Sequence, residues 1–170
     1  MSVRLLAPAE ARRRIPDLAA VLLDCVEGGA SVSFMDGFSM AEAVGFYADV
    51  VEAVEAGQAY LFAAFEGDHL VGTVQLWPAD KPNQPHRCDI AKMLVHRDAR
   101  RAGHGERLMR AAEAHAKSLG KSLLTLDTQE GDAADRLYRR LGWQAIGTIP
   151  GYALWPDGRP CDTVFFYKQI

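Results

Sequence analysis

A chain of 170 residues, 49% apolar and 24% charged, has the make-up of one globular domain over 1–170, large enough to bury a core without staples. Its net charge of −3 gives no general case for nucleic acid, and the Arg12-Arg13-Arg14 cluster reads as a solvated face. The start of the chain lacks an apolar signal core and no apolar run reaches the ~20 residues of a membrane span, so a soluble cytoplasmic protein without membrane partners is expected.

In chain order, Val3–Ala7 reads as a first strand. Leu18, Val21, Leu22, Cys25 and Val26 recur at helical spacing, and Gly28-Gly29 stops that helix. Gly28–Gly37 is a loop. Ser39-Met40-Ala41-Glu42 is a capping-box pattern opening a helix with Val44, Tyr47, Val51 and Val54 on one side and Gly57 at its end. Ala59–Phe65, the turn Glu66-Gly67-Asp68 and Leu70–Trp77 read as a hairpin, followed by a loop from Pro78 to Pro85. Arg87–Val95 is a strand, Gly105–Leu119 a helix, Ser122–Thr128 a strand and Ala133–Leu141 a short helix ended by Gly142. Gln144–Thr148, a turn at Trp155-Pro156-Asp157-Gly158 and a strand Thr163–Tyr167 complete a mixed sheet with helices on its faces.

The most informative segment is Arg100-Arg101-Ala102-Gly103-His104-Gly105, between the apolar strand and the helix. It fits Arg/Gln-x-x-Gly-x-Gly. Two glycines let the backbone approach a ligand, and successive N–H groups with a helix N-terminus behind them suit a pyrophosphate. A dinucleotide fingerprint would need a third glycine where Leu108 stands, and a P-loop would need Gly-Lys-Ser/Thr. An ordinary turn with a capped helix is the plain alternative. Metal chemistry is not expected. Cys25, Cys88 and Cys161 are widely spaced without a Cys-x-x-Cys pair, as in a reduced thiol set, and His86, His96, His104 and His115 form no HExxH pattern.

With this order of elements, the Arg100–Gly105 loop and the block Tyr138-Arg139-Arg140-Leu141-Gly142-Trp143 resemble the GNAT superfamily of acyl-CoA N-acyltransferases. Gly131 departs from the pattern: many members have asparagine seven residues before the tyrosine. Segments outside these motifs resemble the tabtoxin-resistance branch of the superfamily. They are Gly29-Ala30-Ser31-Val32, Lys81-Pro82-Asn83, Leu126-Asp127-Thr128, Pro150-Gly151-Tyr152 and Pro156-Asp157-Gly158-Arg159. The resemblance implies an α/β (α+β) fold whose mostly antiparallel sheet has six to seven strands, with splayed strands 4 and 5 and helices on both faces. It also implies acetyl-CoA as co-substrate and a small polar, amino-acid-like amine as acceptor, in a monomer or homodimer. A protein N-terminal or lysine acetyltransferase is the nearest rival, and a non-catalytic acyl-CoA-binding module the rival from another class.

On that resemblance, backbone N–H groups of Arg101, Gly103, Gly105 and Glu106 face the pyrophosphate, and Arg100 adds charge. The pantetheine arm would pair with Met93, Leu94 and Val95, with an N–H near Met93 or Leu94 as oxyanion donor. Strand period two would put Asp89, Ala91, Met93 and Val95 on one face, and Asp127 near the end of the next strand could share the cleft. Each carboxylate is either the general base or a structural group: Asp89 paired with Arg87 or Lys92, Asp127 capping the next turn. Tyr138 is either the acid for the leaving thiolate or a core aromatic. Ser33, Phe34, Asp36 and Tyr152 are the acceptor-side candidates. Neither Cys88 nor Cys161 has an adjacent base in sequence, which favours direct transfer over an acyl-cysteine.

Overall fold

The computed structural model describes residues 1–170. Strand β1 (Ser2–Leu5) is followed by helices α1 (Pro8–Arg13), α2 (Ile15–Glu27) and α3 (Met40–Glu55). The hairpin of β2 (Tyr60–Glu66) and β3 (His69–Pro78) leads to β4 (Arg87–Val95), α4 (His104–Ser118), β5 (Leu123–Gln129) and α5 (Ala133–Arg140). A last hairpin joins β6 (Gln144–Leu154) to β7 (Pro160–Gln169). The strands form one sheet in the order β1-β2-β3-β4-β5-β7-β6, antiparallel at every junction except β4–β5. No helix is long and apolar enough to cross a membrane.

Alternation along the strands builds a core on each face. In β2, Leu61, Ala63 and Phe65 pack with Leu18, Leu22, Tyr47 and Val51 of α2 and α3. Phe62 and Ala64 point the other way, into a core with Leu108, Met109 and Ala112 of α4 and Leu137 of α5. The expected capping box is present: Ser39 Oγ accepts from the Glu42 N–H at 3.2 Å, and Glu42 Oε2 accepts from the Ser39 N–H at 2.8 Å. Replacing Ser39 with alanine should cost about 1 kcal/mol, seen as a lower urea midpoint with an unchanged slope.

Three differences from the sequence reading have local causes. Helix α1 went unanticipated because six residues are too few to display a period. Strands β6 and β7 run longer than expected. The irregular register between Ile149 and Ala153 contains Pro150-Gly151, and β6 is an exposed edge without inside–outside alternation. The third bears on the site. Between Thr73/Leu94 and Gln75/Ala91, β4 uses one more residue than β3, and Lys92 there takes a left-handed φ of 47°. This bulge breaks the period of two. Met93 and Val95 pack on the α4 side with Cys88 and Ile90, whereas Leu94 belongs to the α2–α3 core. Asp89 therefore does not share a face with Met93 and Val95, contrary to the strict alternation expected.

Candidate active site

A short 3-10 turn, Arg97–Ala99, links β4 to the glycine loop. It is fastened from α2: Asp24 accepts from the Arg97 N–H and the Arg97 Nε, both at 2.8 Å. Burial alone would raise the Asp24 pKa, but the bonds from Arg97 and the nearby His96 hold it below its ordinary value. The turn closes with Arg100 N–H on Arg97 O at 3.3 Å, and backbone bonding resumes with Arg107 N–H on Gly103 O at 3.2 Å. The N–H groups of Arg101, Ala102, Gly103, His104, Gly105 and Glu106 between them donate to no protein acceptor, and α4 has no side-chain cap. Gly103 at φ 84° and Arg101 at φ 65° turn this backbone into a concavity at the positive end of α4. Beneath it the buried His104 ring meets Glu66 Oε1 at 2.7 Å, tying the start of α4 to the end of β2. A Cβ on Gly105 would lie 3.1 Å from Leu137 and 3.4 Å from Met93 Sδ, so glycine lets α4 settle on β4.

Beside this cradle the sheet opens. β4 and β5 pair only at Arg87/Leu123, Cys88/Leu124 and Asp89/Thr125, then diverge. The splay leaves a pocket of about 280 Å³ walled by Asp89, Ala91, Asp127, Ile146 and Phe165. His96 donates its N–H to Val71 O at 2.9 Å, so alternation turns the polar backbone of Val95 away from β3 and that of Leu94 toward it. Arg100 folds back over the end of β4, with Nε on Val95 O at 3.1 Å and Nη2 3.8 Å from Cys25 Sγ.

The candidate acids and bases differ in their surroundings. Asp89 is held by Arg87 Nη1 and Thr125 Oγ1, as in the structural alternative read from sequence. Asp127 makes no hydrogen bond or ion pair with another residue and is exposed. Partial desolvation raises its pKa, opposed by Lys92 and aided by Asp89. Tyr138 on α5 is buried, its ring against Trp143 and Phe166 at centroid distances of 6.0 and 5.9 Å. Its hydroxyl makes no hydrogen bond within the protein. Burial first, then Asp132 and Asp127, push its pKa above the phenolic value.

On the α3 side of the sheet, Ser33, Phe34 and Asp36 line a hollow of about 430 Å³ with Phe38, Glu42 and Phe46. The β6–β7 turn closes over their loop through Asp36 N–H on Pro156 O at 2.9 Å and Ser31 Oγ on Leu154 O at 2.7 Å. Tyr152 lies apart on β6, edge-on to Phe165 at 5.0 Å, and lines neither the hollow nor the pocket at the splay. The sequence reading missed Phe38, Glu42 and Phe46 as lining groups and gave Lys92 no role beyond pairing with Asp89. Helical spacing selects the buried side of α3 and carries no signal for residues facing a hollow at its rim. No group of three or more His, Cys, Asp or Glu side chains could hold a metal ion, and all three cysteines are buried and unpaired.

Comparison with solved structures places this architecture among known acetyltransferases. The ribosomal-protein-alanine N-acetyltransferase of Brucella melitensis superposes with a TM-score of 0.83 at 20% identity, over 100% of both chains. An N-acetyltransferase from Staphylococcus aureus Mu50 gives 0.82 at 15%, over 99% of this chain and 97% of that one. The yncA protein of Salmonella typhimurium, solved with its cofactor acetyl-CoA, gives 0.81 at 18%, over 99% and 93%. At these identities the likeness is one of fold. Residues 31–143, which hold the hollow, the splay, the N–H cradle and Tyr138, match the sequence model of the acetyltransferase (GNAT) family, and the chain belongs to that family.

Proposed function

We propose that the protein is a cytoplasmic, single-domain N-acetyltransferase that moves acetyl from acetyl-CoA directly to a small, polar, amine-bearing acceptor in a ternary complex. The observation that carries this reading is the row of six unpaired N–H groups, Arg101–Glu106, beside a sheet that splays after three residue pairs. The row supplies donors for a diphosphate at a helix N-terminus, with the Arg101 charge at its rim and Arg100 behind it. The splay offers the edge of β4 to an extended arm, through Val95 and the bulge at Lys92–Met93. Leu94, whose polar backbone faces β3, serves by packing. A small acceptor fits the hollow of about 430 Å³, one wall of which is the loop that the β6–β7 turn holds in place.

The chemistry follows from what is left unpaired. The acceptor amine must lose a proton, and Asp127 is the carboxylate in the cleft free to take it, directly or through water. Asp89 keeps Arg87 and Thr125 in place on the paired part of the splay. As the amine nitrogen bonds to the thioester carbon, the developing oxyanion needs a donor, which the N–H near Met93 on the bulge supplies. Breakage of the carbon–sulfur bond leaves a thiolate; Tyr138, kept neutral by its surroundings, gives it a proton as charge develops on sulfur, and the phenol is restored through solvent by the proton that Asp127 took from the amine.

Titration calorimetry with acetyl-CoA, and a thiol-release assay over amino acids, dipeptides and aminoglycosides, test the reading. Binding followed by turnover of at least one small amine is expected. No heat with acetyl-CoA or CoA in a folded sample would overturn it, and binding without turnover across the panel would favour a non-catalytic module. The pH profile tests the base. Asp127 acts when deprotonated and its pKa is raised, so kcat/KM should fall as pH falls through a value higher than that of an ordinary aspartate. Asp127→Asn should lose that acidic limb and about 100-fold or more in kcat. An Asp127→Asn protein with full activity and the same acidic limb would remove Asp127 from the mechanism.

A further inference from the structure

We infer that Lys92 and Ser33 form a carboxylate subsite on the acceptor side, so that the favoured acceptors carry a free carboxylate as well as the amine that is acetylated. This rests on the acetyltransferase reading above and narrows its acceptor.

Only three non-glycine residues have positive φ: Ser33 at 81°, Lys92 at 47° and Arg101 at 65°. Such backbone is unfavourable for L-residues and collects at functional sites. Arg101 belongs to the N–H cradle. The other two, 59 positions apart in the chain, meet each other: Lys92 Nζ donates to Ser33 Oγ at 3.2 Å. The β4 bulge makes this meeting possible. It sends Met93 toward Gly105 under the cradle and turns Lys92 to the opposite face, where its ammonium lies 5.9 and 5.8 Å from the ring centroids of Phe34 and Phe46.

An ammonium has three donors, and one is used here. No carboxylate lies within 4.0 Å of Lys92, although Asp36 and Glu42 line the hollow that its partner Ser33 also lines; Glu42 is occupied by the Ser39 cap. The other cation near the splay, Arg87, is already bound by Asp89, Gln84 and Thr125. Lys92 is thus the unsatisfied positive group of the acceptor side. Burial lowers its pKa while Asp127 pulls it back up, as expected of a desolvated cation that gains from an anion at short range. In this arrangement the acceptor's carboxylate rests on Lys92 and Ser33, and its amine is turned to the splay, where Asp127 stands. Phe34, Phe38 and Phe46 would then take an apolar side chain.

Matched acceptors separate this subsite from general amine binding. L-methionine against L-methioninamide, L-phenylalanine against its amide, and glycyl-L-alanine against its amide each keep the amine and lose only the carboxylate charge. Thiol release would be measured for both members, with rates referred to the free-base amine. The native protein should prefer the acid in at least one pair by about tenfold or more in kcat/KM. Lys92→Met should reduce that ratio to near one, chiefly through KM for the acid. Lys92→Arg should keep much of it, and Ser33→Ala, a second variant on a surface loop, should narrow it. A native protein that treats both members alike overturns the subsite. So does a folded Lys92→Met that loses acid and amide equally, as a merely structural lysine would. If acetyl-CoA binds by calorimetry but no pair is turned over, the subsite falls and the cofactor reading stands; if acetyl-CoA does not bind, both fall together.

Discussion

Gly103→Val should raise the Kd for acetyl-CoA by a factor on the order of 100 or more. Gly103 stands at φ 84° as the residue before α4, in the middle of the six unpaired N–H groups. A Cβ built there meets nothing within 4 Å, so no neighbour in the protein collides with it. The branched side chain would instead stand in the open concavity where the diphosphate is proposed to sit. A β-branched residue is also poorly tolerated at that φ, at a cost of about 1–2 kcal/mol. Two charge-assisted bonds lost at about 1.5–3 kcal/mol each are enough for the expected change in affinity. Calorimetry on a variant whose circular dichroism matches the native protein makes the comparison. Gly103→Ala should fall between the two, because it shares the backbone strain without the branched bulk. Native affinity in a folded Gly103→Val protein would refute the cradle as the cofactor site.

Tyr138→Phe should lower kcat by about 100-fold or more while leaving acetyl-CoA affinity unchanged. The ring makes the packing, against Trp143 and Phe166, and phenylalanine keeps the ring. The hydroxyl makes no hydrogen bond within the protein, so its removal leaves no buried partner stranded. Thermal stability should accordingly stay the same or rise slightly, which separates a chemical effect from an unfolding one. The raised pKa keeps the phenol protonated through the whole working range. Its O–H therefore faces the departing sulfur as a donor at every working pH; because a phenol is a weaker acid than a thiol, transfer runs uphill and is completed only as the phenolate regains a proton through solvent. Full turnover by the variant would return Tyr138 to a purely structural part.

How far each of these groups could be foreseen depends on how far its cause lies along the chain. The cradle was legible because every part of it is local: a strand, a turn, two glycines and a helix start within a dozen residues. The Ser39 cap, the β2–β3 hairpin and the bounds of β4 were legible for the same reason. Tyr138 could be named by its motif, but its burial against Phe166 and its unpartnered hydroxyl could not, since those depend on β7. Arg100 was expected to add charge at the phosphate; in the fold its guanidinium lies on Val95 O and near Cys25, and α2 supplies that partner from 75 positions away.

The amino-acid order was sufficient for the mixed sheet with helices on its faces and for the glycine loop at the start of α4, because short-range periodicity, capping and turn chemistry act over a few residues; its motifs were sufficient for the family. It left open which of Asp89 and Asp127 is engaged by other side chains, and it offered Lys92 only as a partner for Asp89. One unpaired residue in β4 relative to β3 reverses which side chains share a face, and the pairing of distant strands places that residue. Asp89 is engaged because Thr125 arrives opposite it on β5, and Lys92 meets Ser33 because the bulge turns it toward α3. Register and bulge placement reflect the packing of the whole sheet, and no window of sequence contains the energies that choose between them.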